Sequence, residues 1–203
     1  MGHFNAGNVW GKVIKAKEGK TKEKHTPFLE LEIDCSHPQH GPVKAFGRLW
    51  GKEKIAVFLE SLQEHKVEMF RFKGFYGQYE EHSKRYSSYF FYDFTPPGVL
   101  KNGAMGTPRA AFILVGDLTK KELDQDAEPK LYLDVIRPGK ETSIEESFEV
   151  YLFDLETYYE IETGDLVEVR GVLRKRKAED EYGGTTDDLI RPYVMVTKKR
   201  QRR

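Results

Sequence analysis

The stretch VKAFGRLWGKEKIAVFLESLQEH, residues 43–65, contains two periodicities in succession. From Val43 to Gly51 the side chains alternate. Val43, Ala45, Gly47 and Leu49 are small or apolar, whereas Lys44, Phe46, Arg48 and Trp50 run cation, aromatic, cation, aromatic. A strand sends successive side chains to opposite faces, so one face here belongs to a core and the other displays two rings among two charges. Beyond Gly51 the spacing changes. Ile55, Phe58, Leu59 and Leu62 recur at i, i+3, i+4 and i+7, the signature of an amphipathic helix. A strand leading directly into a helix is the centre of the pattern.

Working outward, two strands precede this pair and two follow it. GNVWGKVIKA (7–16) reads as a strand and KEGKTKEKHT (17–26) as a charged turn. PFLELEID (27–34) alternates with Leu29, Leu31 and Ile33 on one side, and CSHPQHGP (35–42) is a turn. After the helix come strands at VEMFRFKGFY (67–76) and RYSSYFFYDF (85–94), separated by the polar loop GQYEEHSK. The same order then recurs. RAAFILVGDL, KLYLDVIR and ESFEVYLF are strands, a short helix is expected with Leu155, Tyr158 and Tyr159 on one side, and DLVEVRGVLRKR and IRPYVMVTKK complete the set. Phe70-Phe72-Gly74 and Val167-Val169-Gly171 are corresponding inward parities of the fourth strand in each copy.

Between the copies lies TPPGVLKNGAMGTPR, a Pro- and Gly-rich segment without apolar period. The expected organisation is a first domain at 1–95, a linker at 96–108, a second domain at 109–197 and a basic tail at 198–203. The fold class is all-β, with one short helix per domain.

Five strands with a helix between the third and fourth is the order of an oligonucleotide/oligosaccharide-binding (OB) barrel, whose strand 2–3 face and two loops bind oligomers. The paired arrangement resembles the tandem OB folds of single-stranded DNA-binding proteins, of the replication protein A and viral single-strand-binding type. The basic C-terminus departs from the bacterial type, which ends in an acidic partner-recruiting tail. An SH3-like barrel is the structural alternative, although it usually lacks a helix of this length.

Bulk composition agrees with a soluble globular chain: 203 residues, 38% hydrophobic and 33% charged, with one cysteine. No apolar run approaches the roughly 20 residues of a membrane span, and the N-terminus lacks a signal pattern. The single Cys35 excludes an internal disulfide and suits a reducing, cytoplasmic setting. The formal net charge is zero, yet residues 1–104 hold 16 Lys+Arg against 12 Asp+Glu, a net of +4. Residues 105–197 hold 12 against 21, a net of −9.

A binder of single strands needs aromatic platforms beside cations, since stacking contributes about 1–3 kcal/mol per base. Lys44, Phe46, Arg48 and Trp50 supply both on one strand face. Trp10 and Lys12 on strand one, Phe28 on strand two, and Arg71 and Lys73 on strand four are expected on the same side. Tyr76, Tyr79, Arg85 and Tyr86 flank the loop between strands four and five, which borders the groove of an OB barrel. The second copy shows Glu149, Tyr151 and Phe153 on its third strand with Tyr132 and Asp134 on its second, a face expected to repel phosphate. An interface, self-association or docking of a basic protein suits it better.

His25, Cys35, His37 and His40 are possible metal ligands, but Cys35, His37 and His40 make a single Cys-x-His-x2-His string in a Pro-containing turn, weaker than the paired spacing of structural zinc sites, and it reads as a polar hairpin loop. No nucleophile elbow, zincin or phosphate-loop motif occurs, so no catalytic residue, metal or cofactor is assigned. The sequence reading is a non-catalytic single-stranded DNA-binding protein of low sequence preference, acting in replication, recombination or repair. Two alternatives stay open: an accessory protein for a polymerase or primase with weak DNA affinity, and an RNA-binding OB protein.

Overall fold

A computed structural model describes residues 2–38, 41–65, 68–81, 84–97, 107–123, 128–138, 142–175 and 190–200. Much of the expected linker, the stretch between Lys175 and Ile190 and the last residues of the basic tail lie outside the described residues. So does His40. The chain forms two compact units, Gly7–Ala110, and Ala111–Arg203 together with Met1–Ala6. The first residues belong to the second unit because His3 is anchored there. The Ile136 N–H donates to His3 Nδ1 at 2.9 Å, and His3 Nε2 lies 3.5 Å from an Asp117 carboxylate oxygen.

The first unit contains β1 (Phe4–Lys20, from Gly7 onward), β2 (Pro27–Asp34), β3 (Lys44–Trp50), α1 (Lys52–Glu64), β4 (Met69–Glu81) and β5 (Lys84–Thr95). β1 pairs antiparallel with β4 through Gly7–Lys12 and with β2 through Lys12–Lys20. β2 pairs with β3, β3 runs parallel to β5, and β5 returns antiparallel to β4. Every strand therefore has two neighbours, and the sheet closes in the order 1-2-3-5-4-1. The second unit repeats this closure with β6 (Arg109–Leu123), β7 (Pro129–Pro138), β8 (Ser143–Leu152), α2 (Leu155–Glu160), β9 (Leu166–Lys175) and β10 (Ile190–Arg200), again with a parallel pairing of third and fifth strands. Both units are OB barrels.

Closure depends on the first strand of each unit serving two partners. At Gly11 an added Cβ would lie 2.3 Å from the Asp34 carbonyl oxygen, and at Gly116 one would lie 2.5 Å from that of Asp134. Only glycine lets the backbones approach so closely. Just beyond each glycine the register shifts by a bulge, between Val13 and Lys15 in β1 and between Leu118 and Lys120 in β6. A bulge bends a strand and increases its twist, as a closing barrel requires.

The inward parity fills each barrel. In the first, Leu29, Leu31 and Ile33 of β2 meet Ala45 and Leu49 of β3, with Phe70 and Phe72 of β4. Helix α1 turns Ile55 and Phe58 inward, and Leu59 and Leu62 are half-buried beside them. Phe58 is fully buried, with its ring centroid 5.4, 5.6 and 5.1 Å from those of Phe70, Phe72 and Phe94. In the second unit Leu131, Leu133, Val135, Phe148 and Val150 fill the same places. Helix α2 forms but does not bury the expected stripe. Leu155 and Tyr159 are exposed, and Tyr158 lies under the Lys121 ammonium at 4.7 Å. Its start is fixed by Asp154, which accepts from the Thr157 N–H at 2.7 Å, and its carboxyl is held below the usual range by that cap.

Tyr76 corrects an expectation. The sequence reading sets it beside the groove, but it continues the inward parity of Phe70, Phe72 and Gly74 and is fully buried. Its hydroxyl lies 2.8 Å from Ser87 Oγ and accepts from Gln78 Nε2 at 2.8 Å. Cys35 follows β2 in the hairpin that His37 and Gly41 close by paired backbone hydrogen bonds. Burial, reinforced by Asp34, pushes its thiol up to about 12.

Two outcomes are expected. Tyr76→Phe leaves Ser87 and Gln78 without the hydroxyl and should lower the unfolding free energy by about 1 kcal/mol, read as an earlier urea midpoint with unchanged slope. At about pH 7.5 the Cys35 thiolate is on the order of one part in 10⁴ or less. Native protein should therefore resist iodoacetamide over hours, whereas protein in denaturant is alkylated within minutes.

Candidate nucleic-acid interface

The outward parities of the first barrel form one continuous face, because register fixes which side chains are neighbours. On β3 they are Lys44, Phe46, Arg48 and Trp50, opposite Asp34, Glu32, Glu30 and Phe28 of β2. On the other side Arg48 is level with Phe90 of β5, which in turn faces Phe75 of β4. β1 adds Lys12, Lys15 and Lys17, level with Asp34, Glu32 and Glu30.

An open groove of about 510 Å³ runs across this face. Phe46 and Arg48 line it from β3, Lys15 and Lys17 from β1, Glu30 and Glu32 from β2, and Gln78, Tyr79, Ser88 and Phe90 from β4 and β5. Phe46 is 46% exposed, Tyr79 48% and Phe90 37%, so three rings are open to solvent around one depression. Gly77 leaves room for the Phe90 ring, which a Cβ there would approach to 2.7 Å. At the end of the β4–β5 hairpin Tyr79 stacks on Tyr86, with centroids 5.5 Å apart and planes 23° from parallel. Arg85 beside them is exposed and level with Glu80.

The expected residues divide into groups. Lys44, Phe46, Arg48, Lys12, Tyr79, Arg85 and Tyr86 are exposed on the first unit, and of these Phe46, Arg48 and Tyr79 come together in the groove. Trp50 is half-buried, tilted against Phe28 at 5.2 Å. Phe28 itself is only 8% exposed, covered by Trp50 and by the Arg48 guanidinium 4.7 Å above its ring. It supports the surface instead of presenting a platform. Trp10 is likewise only 9% exposed, with the Arg71 guanidinium 5.8 Å from its ring. Arg71, half-buried, donates to Asn8 Oδ1 at 3.2 Å, and Lys73 is half-buried level with Asn8. This second cluster does not line the groove. Trp10 and Phe28 thus correct the expectation of open stacking surfaces, as Tyr76 did.

Lys15, Lys17 and Phe90 escape the sequence reading. Strict alternation from Val9, Gly11 and Val13 would send Lys15 and Lys17 inward, but the bulge after Val13 reverses parity and turns them out. Phe90 sits between Tyr89 and Phe91, both buried, in a run where six of ten residues are aromatic. Its shared parity with Tyr86 is the signal that distinguishes it.

The electrostatics of the face are balanced within it. Lys44 Nζ donates to Glu32 Oε1 at 2.8 Å, and Arg48 to Glu30 Oε1 at 3.1 Å. The hydrogen bond to Glu32 raises the Lys44 ammonium above its ordinary value, so it stays charged. Both pairs are solvent-exposed, the class of ion pair that typically contributes about 0–1 kcal/mol.

The corresponding face of the second barrel is internally consumed. Tyr132 donates to Glu122 at 2.6 Å, and Lys130 Nζ lies 3.5 Å from Glu149 and 3.7 Å from Glu122. Tyr151 is buried, donates to Glu149 at 3.1 Å, and carries the Arg191 guanidinium 4.5 Å from its ring. Hydrogen bonds from Lys120 and Tyr132 hold the Glu122 carboxyl down to about 2. Phe153 remains exposed, stacked on Tyr193 at 5.5 Å with Arg174 over it at 5.3 Å.

No protein-family model matches the sequence, and no curated protein matches it. Solved structures do match. The chain is similar to the wild-type single-stranded DNA binding protein from Thermus aquaticus, with a TM-score of 0.60 and 16% identity over 100% of this chain and 95% of that one. It is also similar to a deletion mutant of that protein, with a TM-score of 0.55 and 14% identity over 98% and 95% of the two chains. The likeness is thus to a bacterial protein of the OB-fold single-strand-binding type, not to the replication protein A or viral type that the sequence resembled, and it extends through both barrels.

Proposed function

We propose that this protein is a non-catalytic binder of single-stranded DNA with little sequence preference, serving replication, recombination or repair. The observation that carries this reading is the groove of the first barrel, where Phe46, Tyr79 and Phe90 are open to solvent beside Lys15, Lys17 and Arg48. Aromatic faces accept any unstacked base, and cations along the groove follow the phosphate chain. The likeness to a single-stranded DNA binding protein in fold supports the same reading.

The division of labour is part of the proposal. The first unit holds the strand through Lys44, Phe46, Arg48, Tyr79 and Phe90. Trp50 and Phe28 form the floor on which Arg48 rests, and Lys12, Arg85 and Tyr86 extend the face. The Trp10, Arg71 and Lys73 cluster acts as a flanking phosphate contact. The second unit, rich in acidic residues, docks replication proteins or a second copy of the chain instead of nucleic acid.

Tryptophan fluorescence titration tests this. Oligo(dT), oligo(U) and duplex DNA are added to the full chain at about 50 and about 300 mM salt, where phosphate-driven affinity falls steeply. Quenching by oligo(dT), little by duplex, and weakening with salt are expected. Phe46→Ala should weaken binding by roughly five- to a hundredfold, the range of one lost stacking contact, with an unchanged melting temperature. Tighter binding of oligo(U) would identify RNA as the ligand. Absence of binding of any single strand, read by the anisotropy of labelled oligo(dT) and oligo(U), would refute the proposal.

A further inference from the structure

The groove face carries a row of acids that a phosphate-binding surface does not need. Glu30, Glu32 and Asp34 occupy the outward parity of β2, between Lys12, Lys15 and Lys17 of β1 and Lys44 and Arg48 of β3. Two are in direct contact with the cations, at 2.8 Å for Glu32 with Lys44 and 3.1 Å for Glu30 with Arg48.

We propose that Glu30 and Glu32 are specificity-determining residues that occupy the phosphate seats of the free groove and so bias it toward single strands over duplex. The inference rests on the proposed single-strand binding. A phosphate reaching Lys44 or Arg48 must displace a carboxylate of the same charge, so the exchange yields little net Coulomb energy and releases few counterions. Stacking on Phe46, Tyr79 and Phe90 then supplies the surplus, and only a strand with unstacked bases can provide it. A duplex offers phosphates alone and meets cations that are already paired. Three carboxylates among five cations leave the face weakly positive, enough to attract a strand without retaining any polyanion.

The test uses the full chain with Glu30→Gln, Glu32→Gln and the double variant. Glu23→Gln, in the exposed turn between β1 and β2, serves as a control of equal charge change. Dissociation constants for oligo(dT) and for a hairpin duplex are measured across about 50 to 300 mM salt. Each single variant should tighten oligo(dT) binding by about two- to fivefold at low salt, the value of one exposed pair. The double variant should steepen the plot of log K against log salt by up to about 1.4, for two newly available cations. It should also bring duplex binding into the measurable range, while the control stays with the parent. If the double variant binds oligo(dT) no more tightly than the parent, with the same salt slope, while Phe46→Ala still weakens it, the role assigned to these carboxylates is overturned. If Phe46→Ala also has no effect, the underlying single-strand reading falls with it.

Discussion

Both barrels depend on one steric constraint: a first strand with no side chain at the point where it changes partners. At Gly11 and Gly116 the backbone passes against the carbonyl of the second strand at a distance that any Cβ would violate. Below that point the strand belongs to the fourth strand, above it to the second. Without the close approach the sheet would stay open, with two unpaired edges and a core exposed along its length. The groove follows from the same event. The bulge that accompanies the bend turns Lys15 and Lys17 outward, and closure brings β1 round to β2 with its lysines level with Glu30 and Glu32.

The parts of this architecture that were legible in the sequence follow simple periods. The alternation of Val43–Gly51, the helical spacing of Ile55, Phe58, Leu59 and Leu62, and the repetition of strand-strand-strand-helix-strand-strand each rest on local rules that the tertiary structure did not override. Parity also placed Phe46 and Arg48 correctly, since β3 is regular throughout. Failures occurred where a strand departs from strict alternation or where exposure depends on a neighbour. Lys15 and Lys17 were hidden by the β1 bulge. Phe28 has outward parity yet is covered by Trp50 and Arg48, a matter of side-chain reach that parity does not encode. Tyr76 was misplaced even though its parity with Gly74 argued for the core.

The two barrels show how much chemistry one skeleton allows. Both bend at a glycine, bulge after it and close through a parallel pair, yet their outward faces differ in kind. In the first, Phe46, Tyr79 and Phe90 are open to solvent around the groove, and the exposed Glu30–Arg48 pair lines it beside them. In the second, the rings of Tyr132 and Tyr151 hold carboxylates through their hydroxyls and carry cations on their faces, so the network satisfies itself. A face whose donors and acceptors are already matched gains little from a polyanion. A face with solvated rings has something left to exchange.

The parallel pairing of third and fifth strands has a consequence in time. Gly47, Arg48 and Leu49 find their partners in Tyr89, Phe90 and Phe91, far along the chain, and the final strand is the one that fills the gap between β3 and β4. Without β5, β3 and β4 would each lack a partner, and Leu49 and Phe72 would lose the Phe91 ring that packs beside them. The first barrel completes itself only once Thr95 is free, and loop closure over such separations places its folding in the slower, millisecond-to-second class of domains. Until the aromatic strand β5 is in place, the apolar surface that it covers stays open to other chains.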